Sequence, residues 1–198
     1  MTRDRFLRHA GYSLVEVLLV VALIGVISAI TIPMTANTIA GFRISGDSRS
    51  VANDVALAKM RASSIFTKVR FRIDFAPRTY HLETWDKTTS KWIADGGTTT
   101  LSSAVSFGFG IVGSAPPNTQ PVIGAPALCK DDAGVDVAGT YCVIFNSRGV
   151  PVDATGSPTI DAVYITDGSA VYGVTVSATG MIRTWRTLPT ATPAWIQQ

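Results

Sequence analysis

Residues 11–33 read GYSLVEVLLVVALIGVISAITIP, an apolar run interrupted near its start by a single carboxylate, Glu16. Counted from Tyr12 to Met34 the stretch has about 20 residues, enough to cross a bilayer as a helix. Ahead of it stands a short basic segment, MTRDRFLRHA, in which Arg3, Arg5 and Arg8 face only Asp4. Positive charge on that side alone keeps the N-terminus in the cytoplasm and sends the rest of the chain outward. A cleaved secretory signal shares the basic start, and Ile27-Ser28-Ala29 offers a small-residue cut site. A plain anchor and a buried core helix are the other bland readings. Glu16 argues against both a secretory signal and a plain anchor. A carboxylate costs about 2.5–3.5 kcal/mol at the centre of a membrane helix and less near its edge, so it is kept there for a partner.

Of the 198 residues, 46% are hydrophobic and 16% charged, and the formal net charge is +3. The leader supplies most of that excess. From Tyr12 onward 14 Lys and Arg face 13 Asp and Glu, so the body is nearly neutral and the basic sum is no argument for nucleic acid. A chain of this length holds one core, or one domain with an appendage. Cys129 and Cys142 are the two cysteines. In an oxidising compartment their spacing invites a disulfide, which would stabilise by roughly 3 kcal/mol in the chain-entropy account. In a reducing one they stay free thiols.

Beyond the apolar run, from Ala36 to about Ile65, apolar residues recur at three- and four-residue steps (Ile39, Phe42, Val51, Val55, Ala58, Ala62, Ile65), with an irregular stretch around Gly46. The spacing predicts that the helix continues and packs on a globular domain. After Ser64 the period becomes two. Residues 69–75 alternate strictly, Ala76-Pro77-Arg78 forms a turn, and Tyr80–Trp85 returns. Residues 86–139, rich in Gly, Pro, Thr and Asp, predict long loops with one or two short strands. Tyr141–Phe145, Thr159–Thr166, Ala170–Ser177 and Met181–Arg186 predict strands, the last three joined as a meander by turns at Asp167-Gly168 and Thr179-Gly180. The expected fold class is α+β: a long N-terminal helix followed by an antiparallel sheet domain. The expected organisation is a leader at 1–11, a transmembrane helix at 12–35 and an exported domain at 36–198.

Gly11-Tyr12-Ser13-Leu14-Val15-Glu16-Val17, with its basic leader and apolar run, resembles the signal of type IV prepilins and type II secretion pseudopilins. The resemblance implies that a prepilin peptidase cuts after Gly11 and that the new N-terminal Tyr12 is methylated. It makes Glu16 the assembly carboxylate and Pro33 a helix-loosening residue, with Gly25 in the stretch that yields on assembly. The body is similar to the GspH/FimT branch in its strand pair with Trp85, its Phe145-Asn146-Ser147-Arg148-Gly149 turn and its Val174–Arg183 segment. The implied partners are the peptidase, other pilin or pseudopilin subunits and the inner membrane. The implied role is a structural subunit of a pilus or secretion pseudopilus. DNA capture is the alternative, since FimT-type proteins carry a terminal Gly-Arg-x-Arg element. Here that element reads Gly180-Met181-Ile182-Arg183 and lacks its first arginine, so DNA would fall to Arg183 and Arg186, helped by Arg70 and Arg72.

The assembly role is physically coherent. A core of parallel apolar helices is as dry as the bilayer the helices leave, and their backbone bonds are internal in both. There, pairing Glu16 with the terminal ammonium of a neighbouring Tyr12 removes two desolvation costs at once. Pro33 deletes one helical hydrogen bond.

Residues 108–113, GFGIVG, match a dinucleotide fingerprint, but Ser114-Ala115-Pro116-Pro117 cannot open the helix that must follow. His9 and His81 cannot build a zinc site or a nucleophile triad, and His81 is expected on the strand surface. Asp131, Asp132 and Asp136 fit no standard calcium loop. Arg61, Lys68, Arg70, Arg72 and Arg78 are expected as solvated cations at a strand edge. No catalytic residue, metal or cofactor is expected, and no enzyme. Edman sequencing of protein from native membranes should begin at methylated Tyr12; a start near Ala29, or an intact Met1, would contradict the prepilin reading.

Overall fold

A computed structural model describes residues 13–198, apart from the side chains at 32–37. It divides into two compact units, residues 1–41 and 42–198. One helix, α1 (Leu14–Ser64), contributes to both. It runs without a break through Gly41 and Gly46, where the sequence pattern suggests irregularity. Each glycine costs about 1 kcal/mol relative to Ala. In the second unit that cost is offset by packing, because Ile44, Val51, Val55, Ala58 and Ala62 form one fully buried stripe. Gly46 lies off the stripe, with open space where a Cβ would stand. The helix ends where Phe66 takes a left-handed conformation, φ 51°.

The strands follow in chain order. Sheet A is built from β1 (Val69–Asp74), β2 (Thr79–Asp86), β3 (Lys91–Thr100), β5 (Leu128–Lys130) and β6 (Asp136–Phe145), in the spatial order β3-β2-β1-β6-β5, with β7 (Pro151–Val152) beside β6. Sheet B takes β4 (Ser106–Phe107), β8 (Asp161–Thr166), β9 (Val171–Val176), β10 (Ile182–Thr187) and β11 (Ile196–Gln197), in the order β11-β10-β9-β8-β4. All pairings are antiparallel. The α+β order expected from the sequence is the one adopted, but as two sheets. Residues 86–139 hold more strand than expected, including the ten-residue β3. Its sequence, KWIADGGTTT, carries no apolar alternation because it is a sheet edge whose side chains face water. Its only strand partner is β2, and the side chains of Trp92 and Asp95 add ties to Trp85 and Arg61.

One core unites the second unit. The buried helix stripe meets Val69, Phe71, Ile73, Tyr80 and Phe145 of sheet A and Val163, Ile165, Val174 and Val176 of sheet B. A second, smaller cluster of Val112, Ala162, Tyr164 and Val171 lies on the other face of sheet B, with Trp195 against it. β1 is central in sheet A, paired to β2 on one side and β6 on the other. Its odd-numbered residues enter the core, so Arg70, Arg72 and Asp74 must share the opposite face.

The two turns singled out in the sequence meet. Asn146 Oδ1 accepts the amides of Arg148 and Val150, shaping the turn after β6, and Gly149 closes it at φ 70°. Gly180, φ 81°, closes the β9–β10 turn, and a Cβ there would run into the Gly149 carbonyl oxygen. Lys59 of α1 donates its Nζ to the Gly180 carbonyl at 2.9 Å. Thus the helix and one turn from each sheet converge on a point that admits no side chain. Gly180→Ala should destabilise by about 2–4 kcal/mol, combining left-handed strain with a backbone clash. Gly168→Ala, at φ 85° in open space, should cost only about 1–2 kcal/mol for the strain. Urea titration of both variants tests this, and equal losses would remove the clash from the account.

Candidate functional site

The first unit presents its chemistry in one helix. Leu14–Thr31 is long and apolar enough to cross a membrane, and none of it is buried inside the protein. Its apolar side chains, from Leu14 through Ile30, are all exposed. Thr31 satisfies its hydroxyl by donating to the Ile27 carbonyl at 2.9 Å, a local bond that removes one polar group from the apolar surface. The helix starts at Leu14, and the Ser13 carbonyl accepts the Val17 amide at 3.2 Å, which makes Ser13 the N-cap. Ser13-Leu14-Val15-Glu16 then has the spacing of a capping box, with the Glu16 carboxylate in the first turn where the helix dipole favours a negative charge. The Ser-x-x-Glu spacing was the signal for this, and it is legible in the sequence once the helix start is known. Gly11 and Tyr12 lie outside the described residues. At Pro33 the backbone is helical and the side chain is outside them.

In the second unit Cys129 and Cys142 are joined, Cα to Cα 4.9 Å, linking β5 to β6. The three aspartates of that hairpin already have partners. Asp131 accepts the amides of Ala133 and Val135, Asp132 accepts the Trp92 amide at 2.9 Å, and Asp136 pairs with Lys130 at 2.7 Å. Among the described residues no group of three His, Cys, Asp or Glu side chains is gathered as metal ligands. Residues 108–113 run from the end of β4 into a loop with no helix after it, which leaves the dinucleotide fingerprint without its phosphate-binding end.

The expectation of solvated cations fails for Arg70 and Arg72. Arg70 is 3% exposed, ion-paired with Glu83, with its Nη1 on the Lys130 carbonyl and its guanidinium 4.1 Å from the centre of the Trp92 ring. Burial pulls its proton affinity below the ordinary arginine value, partly compensated by Glu83. Arg72 is shared between Asp74 at 3.0 Å and Glu83 at 3.3 Å. The strand is central rather than an edge, and β5–β6 leans over this face, so these charges are spent internally. His81 is likewise no surface residue: its side chain is 14% exposed, between Asp74 and Glu83. Arg61 pairs with Asp95 at 3.3 Å, and Arg78 donates to the Val105 carbonyl.

Arg183 and Arg186 do not converge either. Three residues apart on β10, they point to opposite faces of sheet B. Arg186 lies over the Tyr172 ring at 5.9 Å, whereas Arg183 lines a shallow pocket with Asn118, Thr119, Thr175 and Met181. The four arginines named for DNA are therefore not brought together on one surface.

Comparison with known proteins adds one sequence match and two structural likenesses. The prokaryotic N-terminal methylation motif matches residues 7–32. Two structures of the minor pseudopilin EpsH from the type II secretion system of Vibrio cholerae resemble the fold, at 14% and 15% identity and TM-scores of 0.47 and 0.45. They cover 72% and 77% of this chain and 95% and 94% of theirs. No curated protein sequence matches.

One acidic group in the second unit is energetically exposed to pH. Asp161, at the start of β8, is buried, and burial first, then the neighbouring charge of Asp153, pushes its carboxyl up to about 6. A raised value means the folded chain holds the proton more tightly than the unfolded one. That contribution is therefore present below about pH 4 and lost as pH rises through about 6. Asp161→Asn should stabilise by about 1–3 kcal/mol near pH 7.5 and change little near pH 4. Denaturant midpoints at the two pH values check it, and no gain at the higher pH would refute it.

Proposed function

We propose that this chain is a structural pilin-like subunit, made as a prepilin, clipped after Gly11, methylated at Tyr12 and drawn into a type IV pilus or secretion pseudopilus through the apolar part of α1. The observation that carries this reading is the methylation motif over residues 7–32, with Glu16 as the single carboxylate of an exposed apolar helix. While the subunit waits in the membrane, Glu16 sits near the bilayer edge at a modest cost. In a filament the same carboxylate meets the terminal ammonium of an adjacent subunit, and the low dielectric makes that pair strong. The globular unit then rides outside as the part that meets other subunits. The alternative of DNA capture draws little support from Arg70, Arg72, Arg183 and Arg186, which are paired or dispersed.

The capping box separates two roles of Glu16. Glutamine serves as well as glutamate in the box but carries no charge. Glu16→Gln and Glu16→Ala should both be exported and cleaved, and both should be absent from sheared filaments, by roughly tenfold or more. Immunoblots of membrane and filament fractions give the answer. Normal incorporation of Glu16→Gln would reduce the residue to a helix cap and sink the charge-pairing mechanism.

A further inference from the structure

The second unit buries one carboxylate that its own chain leaves without a partner. Asp161 opens β8, on the strand face that carries Val163 and Ile165 into the shared core. β4 borders β8 only at Ile165 and Thr166, so no strand of sheet B covers that flank at Asp161. On the other flank β9 sets the uncharged Val176 opposite it. Asp161 is 8% exposed, and among the described residues no hydrogen bond or ion pair reaches its carboxylate. It lines a cavity of about 430 Å³ between the start of β8, the loop after β7 and the β5–β6 pair. A buried charge with no partner is a standing cost, and such a group in a cleft marks a ligand site.

The charge around the cavity is unbalanced. Asp153, exposed in the loop after β7, is the second free carboxylate and acts on Asp161 by repulsion. Its Oδ1 accepts the Thr155 hydroxyl and the amides of Thr155 and Ser157, which hold it ionised, and Oδ2 takes no part in those bonds. The other two ionisable groups of the lining, Asp136 and Lys130, neutralise each other at 2.7 Å. On the far side of Asp153 lie Arg70, held by Glu83, and Lys68, which pairs with neither carboxylate. Two negative charges therefore stand without a cation. The remaining wall is apolar, from Leu128, Ile144, Val152 and Ala154, and the Cys129–Cys142 bond fixes the two strands that carry part of it.

We propose that this cavity binds an alkylammonium group, a primary amine on a short apolar stem, with its charge on Asp161 and Asp153 and its stem along Leu128, Ile144 and Val152. An ammonium has three N–H donors and can serve both carboxylates at once. Its stem removes apolar wall from water, as a bare metal ion does not. A calcium ion takes six or more oxygens, and among the described residues no three acidic, His or Cys side chains gather to supply them. The same chemistry is carried by a free amine and by a lysine side chain of another protein. The site does not depend on the filament role.

The test uses the full chain in neutral detergent micelles at low salt and about pH 7.5, where Asp161 is ionised. Butylammonium is titrated while backbone amides are followed by NMR. The amides of Leu128, Cys142, Asp153 and Asp161 should move together, with a dissociation constant on the order of 1–10 mM for so small a ligand. Butanol, the same stem without charge, should bind at least tenfold more weakly. Asp161→Asn, which relieves the buried charge and so keeps the fold, should weaken butylammonium by tenfold or more. Lowering the pH to about 5 should weaken it about tenfold, because a carboxyl at about 6 is then mostly protonated. Acetyl-lysine methylamide separates the sources: binding as tight as butylammonium assigns the site to a protein's lysine, and no binding beside a bound butylammonium assigns it to a free amine. Still amides at about 50 mM butylammonium would overturn the proposal. So would equal binding of butanol, undiminished binding by Asp161→Asn, or calcium moving these amides where butylammonium does not.

Discussion

The second unit rests on one stripe of α1. Ile44, Val51, Val55, Ala58 and Ala62 are small or branched, fully buried, and touch residues from both sheets in a single core. Full burial of a Val or Ile side chain contributes about 1.5–3 kcal/mol, so this stripe is the largest favourable term that joins helix to sheets. Alanine at 58 and 62 lets the sheets come close to the helix axis. Where they close in, at the helix end, Lys59 and the two glycine turns meet. Remove the stripe and the core shared by the two sheets loses its helical side.

That arrangement decides which charges are available. Once Val69, Phe71 and Ile73 are committed to the core, Arg70, Arg72 and Asp74 are forced together on the other face. Two neighbouring strands and the cross-linked hairpin then shut most of the solvent out. Charges taken out of water must find each other, and Glu83 and Asp74 supply the partners of the two arginines. The cluster is thus a consequence of strand order, and its arginines are lost to external ligands for the same reason.

The first unit obeys a different logic. Over Leu14–Thr31 its helix is long and apolar, and none of that stretch is buried inside the protein. Such a surface belongs against lipid or against other helices of its kind. Glu16 is tolerated because it lies in the first turn, where the N-cap at Ser13 and the helix dipole both favour it.

What the sequence determined by itself is what local physics can carry. The apolar run with its carboxylate, the helix stripe, the alternation of 69–75 and the C-terminal meander are periodic patterns of residues close in the chain, and each is recovered near its expected bounds. β3 escaped because an edge strand needs no apolar alternation, only a neighbour's backbone. The division into two sheets, the central place of β1, the meeting of Gly149 with Gly180, and the burial of Arg70 and His81 were decided by tertiary structure alone. Each depends on which strand pairs with which, over separations that no local period encodes. An arginine on a strand is a surface cation or a buried partner according to what covers it, and here the cover comes from a hairpin some sixty residues further along the chain.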